Sequence, residues 1–196
     1  KHGVWVANSP DYGVGEVATH ALAMALASVR NIVAWHRDVT AGRWHYTSAG
    51  PVKRASELTL GIVGLGRIGK AIGQRLEAMG MKIAYTGRRA QPGVHYRYES
   101  DLKALAAESD FLIVACPGGP ATKNLVNADV LSALGRKGTI VNIARGSIID
   151  EPALVQALQD GTIGGAGLDV FADEPHVPRP LLAMDNVVLL PHVGSA

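Results

Sequence analysis

Four polar side chains each stand just past a short apolar run: Arg145, Asp169, Glu174 and His192. Arg145 closes NIARG and carries a permanent charge in a planar fork, a shape that grips a carboxylate with two hydrogen bonds. His192 follows Pro191 in LLPH, and an unperturbed imidazole gives or takes a proton near neutrality. Glu174, in DVFADEP, is placed to orient that imidazole and to favour its charged form. Singly, each has a plainer role: a helix-end charge, a loop acid, a satisfied histidine. Their shared position after strands argues for one site.

A second constellation is Gly64-x-Gly66-x-x-Gly69, within LTLGIVGLGRIG. A buried-strand run (Leu58, Leu60, Ile62, Val63) precedes it, and a helical pattern through Ile72, Leu76 and Met79 follows. That context makes it a dinucleotide-binding fingerprint. Gly64 allows the tight turn, Gly66 lets the backbone approach a pyrophosphate, and Gly69 lets the helix sit close on the strand. Free amides of the helix start, Arg67 and Ile68 among them, would face the phosphates. A dinucleotide with plain ribose hydroxyls calls for an acid about 20 residues on, at the end of the next strand. The chain reads Thr86-Gly87-Arg88-Arg89 there, with no carboxylate before Glu99. Two guanidiniums suit a 2′-phosphate, so the reading is NADP, with NAD possible.

The elements that must position these groups alternate. Strands are expected at 111–115, 139–143, 166–170 and 187–190, beside the one before the glycines and Lys82 to Thr86, with a brief one at 94–98. Helices follow, one capped by Ser100, one by Asn127, and one opened by Asp150 and stopped at Gly161. The fold class is therefore α/β, a doubly wound parallel sheet of Rossmann type, in which ligands bind outside the carboxyl ends of the strands. Ahead of it, 2–10 reads as a short strand and turn. From Gly15 to His36 runs the longest helical pattern, about 33 Å at about 1.5 Å per residue. Small or apolar residues lie on nearly all its faces, which predicts burial most of the way round, between domains or subunits. The polar stretch 37–57 reads as an arm, with Trp44 in local packing.

The chain has 196 residues, 47% hydrophobic and 18% charged, enough to bury a core. A net charge of +2 with scattered basic residues gives no nucleic-acid signature. No membrane-spanning run or signal peptide stands out, and no metal-ligand cluster. Cys116 is the only cysteine, which excludes an internal disulfide and fits a reducing, cytoplasmic setting. Placed at a strand end before Pro117, it reads as a small hydrophobe rather than as a hydrolase nucleophile. The chain begins at Lys1 rather than methionine, as an excised domain would.

GIVGLGRIG, NIARGSIID, GLDVFADEP and LLPHVGSA, in this order over nearly the whole chain, resemble the D-2-hydroxyacid dehydrogenases, in the branch with glyoxylate and hydroxypyruvate reductases. The resemblance implies NAD(P)-linked reduction of a small 2-keto acid. In it Arg145 would hold the carboxylate and polarise the carbonyl, His192 would protonate the carbonyl oxygen, and Glu174 would pair with His192. Asp169 would anchor the nicotinamide carboxamide, and Cys116, Pro117, Ile143, Ala144 and Gly194 would line the cofactor. Formate dehydrogenases of the family carry glutamine where Glu174 stands, which counts against formate. Relatives fold as two domains, so the substrate domain is expected to lie outside this chain. The helix and arm, 15–44, would build a homodimer. The rival class is a dinucleotide-sensing transcriptional corepressor, since some relatives regulate transcription with the same triad; turnover on small keto acids separates the two.

Overall fold

The structure, a computed structural model, describes residues 11–44 and 54–195 together with Gly3 and Trp5. The strand expected within 2–10, much of the arm and Ala196 lie outside the described residues.

The apolar runs form seven parallel strands: β1 (Thr59–Val63), β2 (Lys82–Thr86), β3 (Arg97–Tyr98), β4 (Phe111–Val114), β5 (Thr139–Asn142), β6 (Gly165–Leu168) and β7 (Val187–Leu189). Their order is β3-β2-β1-β4-β5-β6-β7, so the chain reverses direction across the sheet between β1 and β4. Central strands buried on both faces need continuous apolar runs, and Phe111-Leu112-Ile113-Val114 supplies one. Because every strand runs the same way, every carboxyl end opens on one edge. A crevice at such a reversal is where an open parallel sheet takes a ligand.

Helices cover both faces. Between β1 and β2 runs α3 (Arg67–Glu77), which shares its layer with α1 (Val14–Val29). On the other face lie α4 (Leu102–Ala107), α5 (Ala128–Leu134) and α6 (Glu151–Gln159). Polar caps fix their starts: Asn127 Oδ1 accepts from Val130 N at 3.1 Å and Asp150 Oδ1 from Ala153 N at 3.2 Å. The cap of α4 is Asp101, not Ser100; its Oδ1 accepts from Lys103 N at 2.9 Å. A carboxylate at this position also complements the helix dipole.

The expected long helix from Gly15 to His36 is broken. After α1, Asn31 adopts a left-handed backbone (φ 51°, ψ 36°), and α2 (Ile32–Thr40) leaves at 62°. Arg30 and Asn31 close α1 by bonds to Leu26 O and Ser28 O, and Trp35 N restarts the ladder on Asn31 O. Asparagine enters the left-handed region more readily than other side chains, and it sits where the alanine-rich pattern gives no other warning. Only α1 has fully buried residues, Ala18, Ala21, Met24, Ala25 and Val29; on α2, Val33, Ala34 and Trp35 are half-buried. The arm therefore starts later than expected, since 37–40 is still helix, and Ala55–Glu57 forms a 3-10 turn. Trp44 is 84% exposed rather than packed among the described residues. Among the described residues no single helix is long and apolar enough to cross a membrane.

Candidate active site

The glycine turn after β1 is built by exclusion. Gly64 has φ 97°, and a Cβ there would stand 2.7 Å from the N, Cα and Cβ of Cys116. Its own N donates to Thr86 O at 3.0 Å, which ties the turn to the end of β2. A Cβ on Gly69 would strike Gly64 O, so only glycine lets α3 settle on the turn. A Cβ on Gly66, by contrast, would meet nothing, and Gly66 is exposed at the start of α3 with no side chain capping the helix. Open space in front of uncapped helix amides is what a pyrophosphate needs, so these residues fit a dinucleotide. Within the turn, Ile68 joins the core, while Arg67 points out to Asp11 (Nη1–Oδ1, 2.8 Å).

Past the buried Thr86, both Arg88 and Arg89 are exposed, and neither makes an ion pair or a side-chain hydrogen bond among the described residues. Opposite, Cys116 is half-buried and burial pushes its thiol up, which leaves it a poor thiolate and disfavours the nucleophile reading. Pro117 is exposed beside it. Ile143 and Ala144 are buried after β5. The buried Asn142 sets the bend that follows: its Nδ2 donates to Arg145 O and its Oδ1 accepts from Ala144 N, both at 3.0 Å. Arg145 emerges from that bend exposed, its Nη1 turned back on Ala144 O at 2.6 Å.

Asp169, 1% exposed, accepts from Val193 N on Oδ1 (3.0 Å) and from Gly194 N on Oδ2 (2.9 Å). A buried carboxylate needs such donors. Here they also hold the turn that carries His192, whose φ of 57° is unusual for a side chain with a Cβ. His20 Nε2, on α1, comes within 3.1 Å of Asp169 Oδ1 but lacks hydrogen-bond geometry and has no other partner. His192 Nδ1 meets Glu174 Oε2 at 2.8 Å, and Glu174 Oε1 accepts from Phe171 N at 3.1 Å. The bond with His192 holds the Glu174 carboxyl below the usual range; the Phe171 amide and the charges of His192 and Arg145 add to this, while burial opposes it. The pair borders an apolar pocket of about 270 Å³ lined by Phe171, Pro175, Val177, Leu189, Leu190 and Pro191.

The structure thus joins Glu174 to His192, brings the charge of Arg145 to bear on Glu174, and links Asp169 to Gly194. Gly64 is packed on Cys116 and bonded to Thr86. Sequence reasoning missed Asn142, whose signal was an asparagine at a strand end, a residue type that braces turns. His20 carried no local signal, because its contact with Asp169 spans most of the chain.

Residues 22–194 match the family model described as D-isomer specific 2-hydroxyacid dehydrogenase, NAD binding domain. The chain belongs to that family. Among similar proteins, the hydroxyphenylpyruvate reductase of Plectranthus scutellarioides is 46% identical over 98% of this chain and 62% of its own length. For the glyoxylate/hydroxypyruvate reductase A of Arabidopsis thaliana the identity is 45%, over the same shares. A solved structure of the NADPH-dependent glyoxylate/hydroxypyruvate reductase from Sinorhizobium meliloti, in complex with NADP and malonate, superposes with a TM-score of 0.90. It is 48% identical, over 99% of this chain and 61% of that one. The chain therefore spans about three fifths of the length of the relatives it matches.

Proposed function

We propose that the whole protein is an NADP-preferring D-2-hydroxyacid dehydrogenase that reduces a small 2-keto acid of the glyoxylate or hydroxypyruvate kind. The Glu174–His192 hydrogen bond, with Glu174 within reach of the charge of Arg145, carries this reading. The uncapped amides past Gly66 would hold the pyrophosphate, Arg88 and Arg89 the 2′-phosphate, and Asp169 the nicotinamide end. Bound there, the dinucleotide supplies the reducing equivalent. His192 delivers a proton from Nε2 to the carbonyl oxygen, since Nδ1 is engaged by Glu174. Glu174, kept ionised by its bond with His192, fixes the orientation of the ring. Arg145 exchanges its bond to Ala144 O for the substrate carboxylate. The apolar pocket beside His192 shields the reacting carbonyl from water. Names and cofactors of the relatives support the same reading. Exposed Ile32 and Val39 on α2, with exposed Trp44, support a homodimer through 15–44.

The test is a rate panel on the whole protein with glyoxylate, hydroxypyruvate, 2-ketogluconate and 4-hydroxyphenylpyruvate, each with NADPH and NADH. NADPH should be preferred, and replacing Arg88 and Arg89 with alanine should weaken it roughly ten- to hundredfold while sparing NADH. Cofactor binding without turnover on any keto acid would favour the corepressor alternative.

A further inference from the structure

The loop from Gly87 to Val94 carries Arg88 and Arg89, yet it makes no backbone–backbone hydrogen bond among the described residues. Three bonds through side chains hold it. At one end Tyr98 Oη donates to Gly87 O at 3.1 Å. Just past the arginines, Gln91 N donates to Tyr85 Oη at 2.8 Å, and Gln91 Nε2 donates to Leu65 O. Leu65 is the residue between Gly64 and Gly66, so Gln91 ties the arginine loop to the glycine turn. Tyr85 is 2% exposed, and its ring lies 5.3 Å from that of Tyr98 on the paired strand, so the anchor points are themselves fixed. Among the described residues the two arginines between these anchors have no ion-pair partner.

We propose that Gln91, Tyr85 and Tyr98 are positioning residues for 2′-phosphate selectivity. They fix the arginine loop relative to the pyrophosphate turn, so that both guanidiniums meet a phosphate monoester without first ordering a free loop. Flexible loops that order on binding lose affinity, and loops held in the bound shape do not. The inference rests on the reading that Arg88 and Arg89 contact the 2′-phosphate. It adds that their charge is insufficient unless the brace aims it. Because the Gln91 bond ends on the glycine turn and the Tyr98 bond does not, the two residues act differently. Tyr98 serves the 2′-phosphate alone; Gln91 also steadies the turn shared by both dinucleotides.

The test uses the whole protein and two probes without nicotinamide, adenosine 2′,5′-bisphosphate and adenosine 5′-monophosphate, titrated by calorimetry. Gln91→Met keeps the size of the side chain but removes the donor; Tyr98→Phe removes only the hydroxyl. Arg88 and Arg89 replaced together by alanine serve as reference, and thermal unfolding confirms that each variant is folded. Tyr98→Phe should weaken the bisphosphate about three- to tenfold and leave the monophosphate unchanged. Gln91→Met should weaken both, the bisphosphate more. If the arginine variant abolishes discrimination while both brace variants retain it in full, the brace is only packing and the proposal is overturned. If the arginine variant itself leaves discrimination intact, the reading of the arginines fails and the brace falls with it.

Discussion

The glycine turn and the acid–base corner sit on one edge of one sheet and are built in opposite ways. The turn is backbone wedged against backbone: Gly64 on Cys116, Gly69 on Gly64, with Thr86 closing the ring. The corner is side chain on side chain, with His192 and Glu174 about two fifths exposed and joined by one hydrogen bond. Arg145, beside them, is parked on a neighbouring carbonyl. A dinucleotide can be met by a rigid, finished cradle. Groups that give up a proton and take hold of a substrate must stay reachable and must change partners. The difference teaches where each part is vulnerable: the turn to added volume, the corner to lost chemistry.

The comparison is broken most severely at His192. Replacing it with alanine should cut turnover about 10²–10⁴-fold while calorimetry finds NADPH affinity retained; a parallel loss of both would make the corner part of the cradle. Arg145→Lys keeps the charge but not the fork, and should lower kcat/KM for the keto acid roughly ten- to hundredfold. Near-normal kinetics would show that the carboxylate is held elsewhere. At its glycines the cradle should answer to volume. Gly64→Ala, forced against Cys116, should cost about 1–3 kcal/mol in denaturant unfolding. Gly66→Ala, facing open space, should leave stability intact and weaken the dinucleotide. Equal destabilisation by the two would refute the exclusion argument.

Smaller effects come from pH. Glu174 titrates below its ordinary 4.5 because of its bond with His192. Its folded value is depressed, so the pair stabilises the fold above that ordinary value and the contribution is lost as pH falls through the depressed one. The gap in unfolding midpoint between the wild type and Glu174→Gln should therefore be open near neutrality and closed in acid. A gap that does not change with pH would mean that the pair's charge adds no stability. Away from both regions, Tyr96 is pushed up to about 12 by burial and by the neighbouring Glu77, from 10.0. That contribution is present below the ordinary value and lost as pH rises toward about 12. In an ultraviolet titration, Glu77→Gln should lower the latest tyrosine step and leave the cradle and corner untouched.

The strand set and the glycine turn were legible because each is written locally: an apolar run, then glycines at fixed spacing, then a 3.6-residue period. Strand ends moved by a residue or two, and Val94 to Tyr98 shrank to Arg97–Tyr98, since pairing with β2 decides where β3 starts. The site residues were legible as strand-end polar groups, but their roles came from the family resemblance, not from spacing. The break at Asn31 was hidden because the helical patterns on either side of it read as continuous, and one left-handed residue leaves no periodicity. His20 and Gln91 were hidden for another reason. Each acts on a backbone group or carboxylate brought near by the fold, with His20 and Asp169 far apart in the chain.

The wedge of Gly64 on Cys116 has a consequence for how this sequence can drift. The atoms that a side chain at 64 would strike include the backbone N and Cα of Cys116, which are the same for every residue at 116. No second substitution there can make room, so position 64 has no compensated path away from glycine. Gly73 differs, because a Cβ there would strike the ring of Tyr96 at 2.9 Å (Cε2), a side chain that a smaller residue could replace. Two glycines of one helix-turn unit thus stand under different evolutionary rules: one is frozen, and the other can be traded against its neighbour.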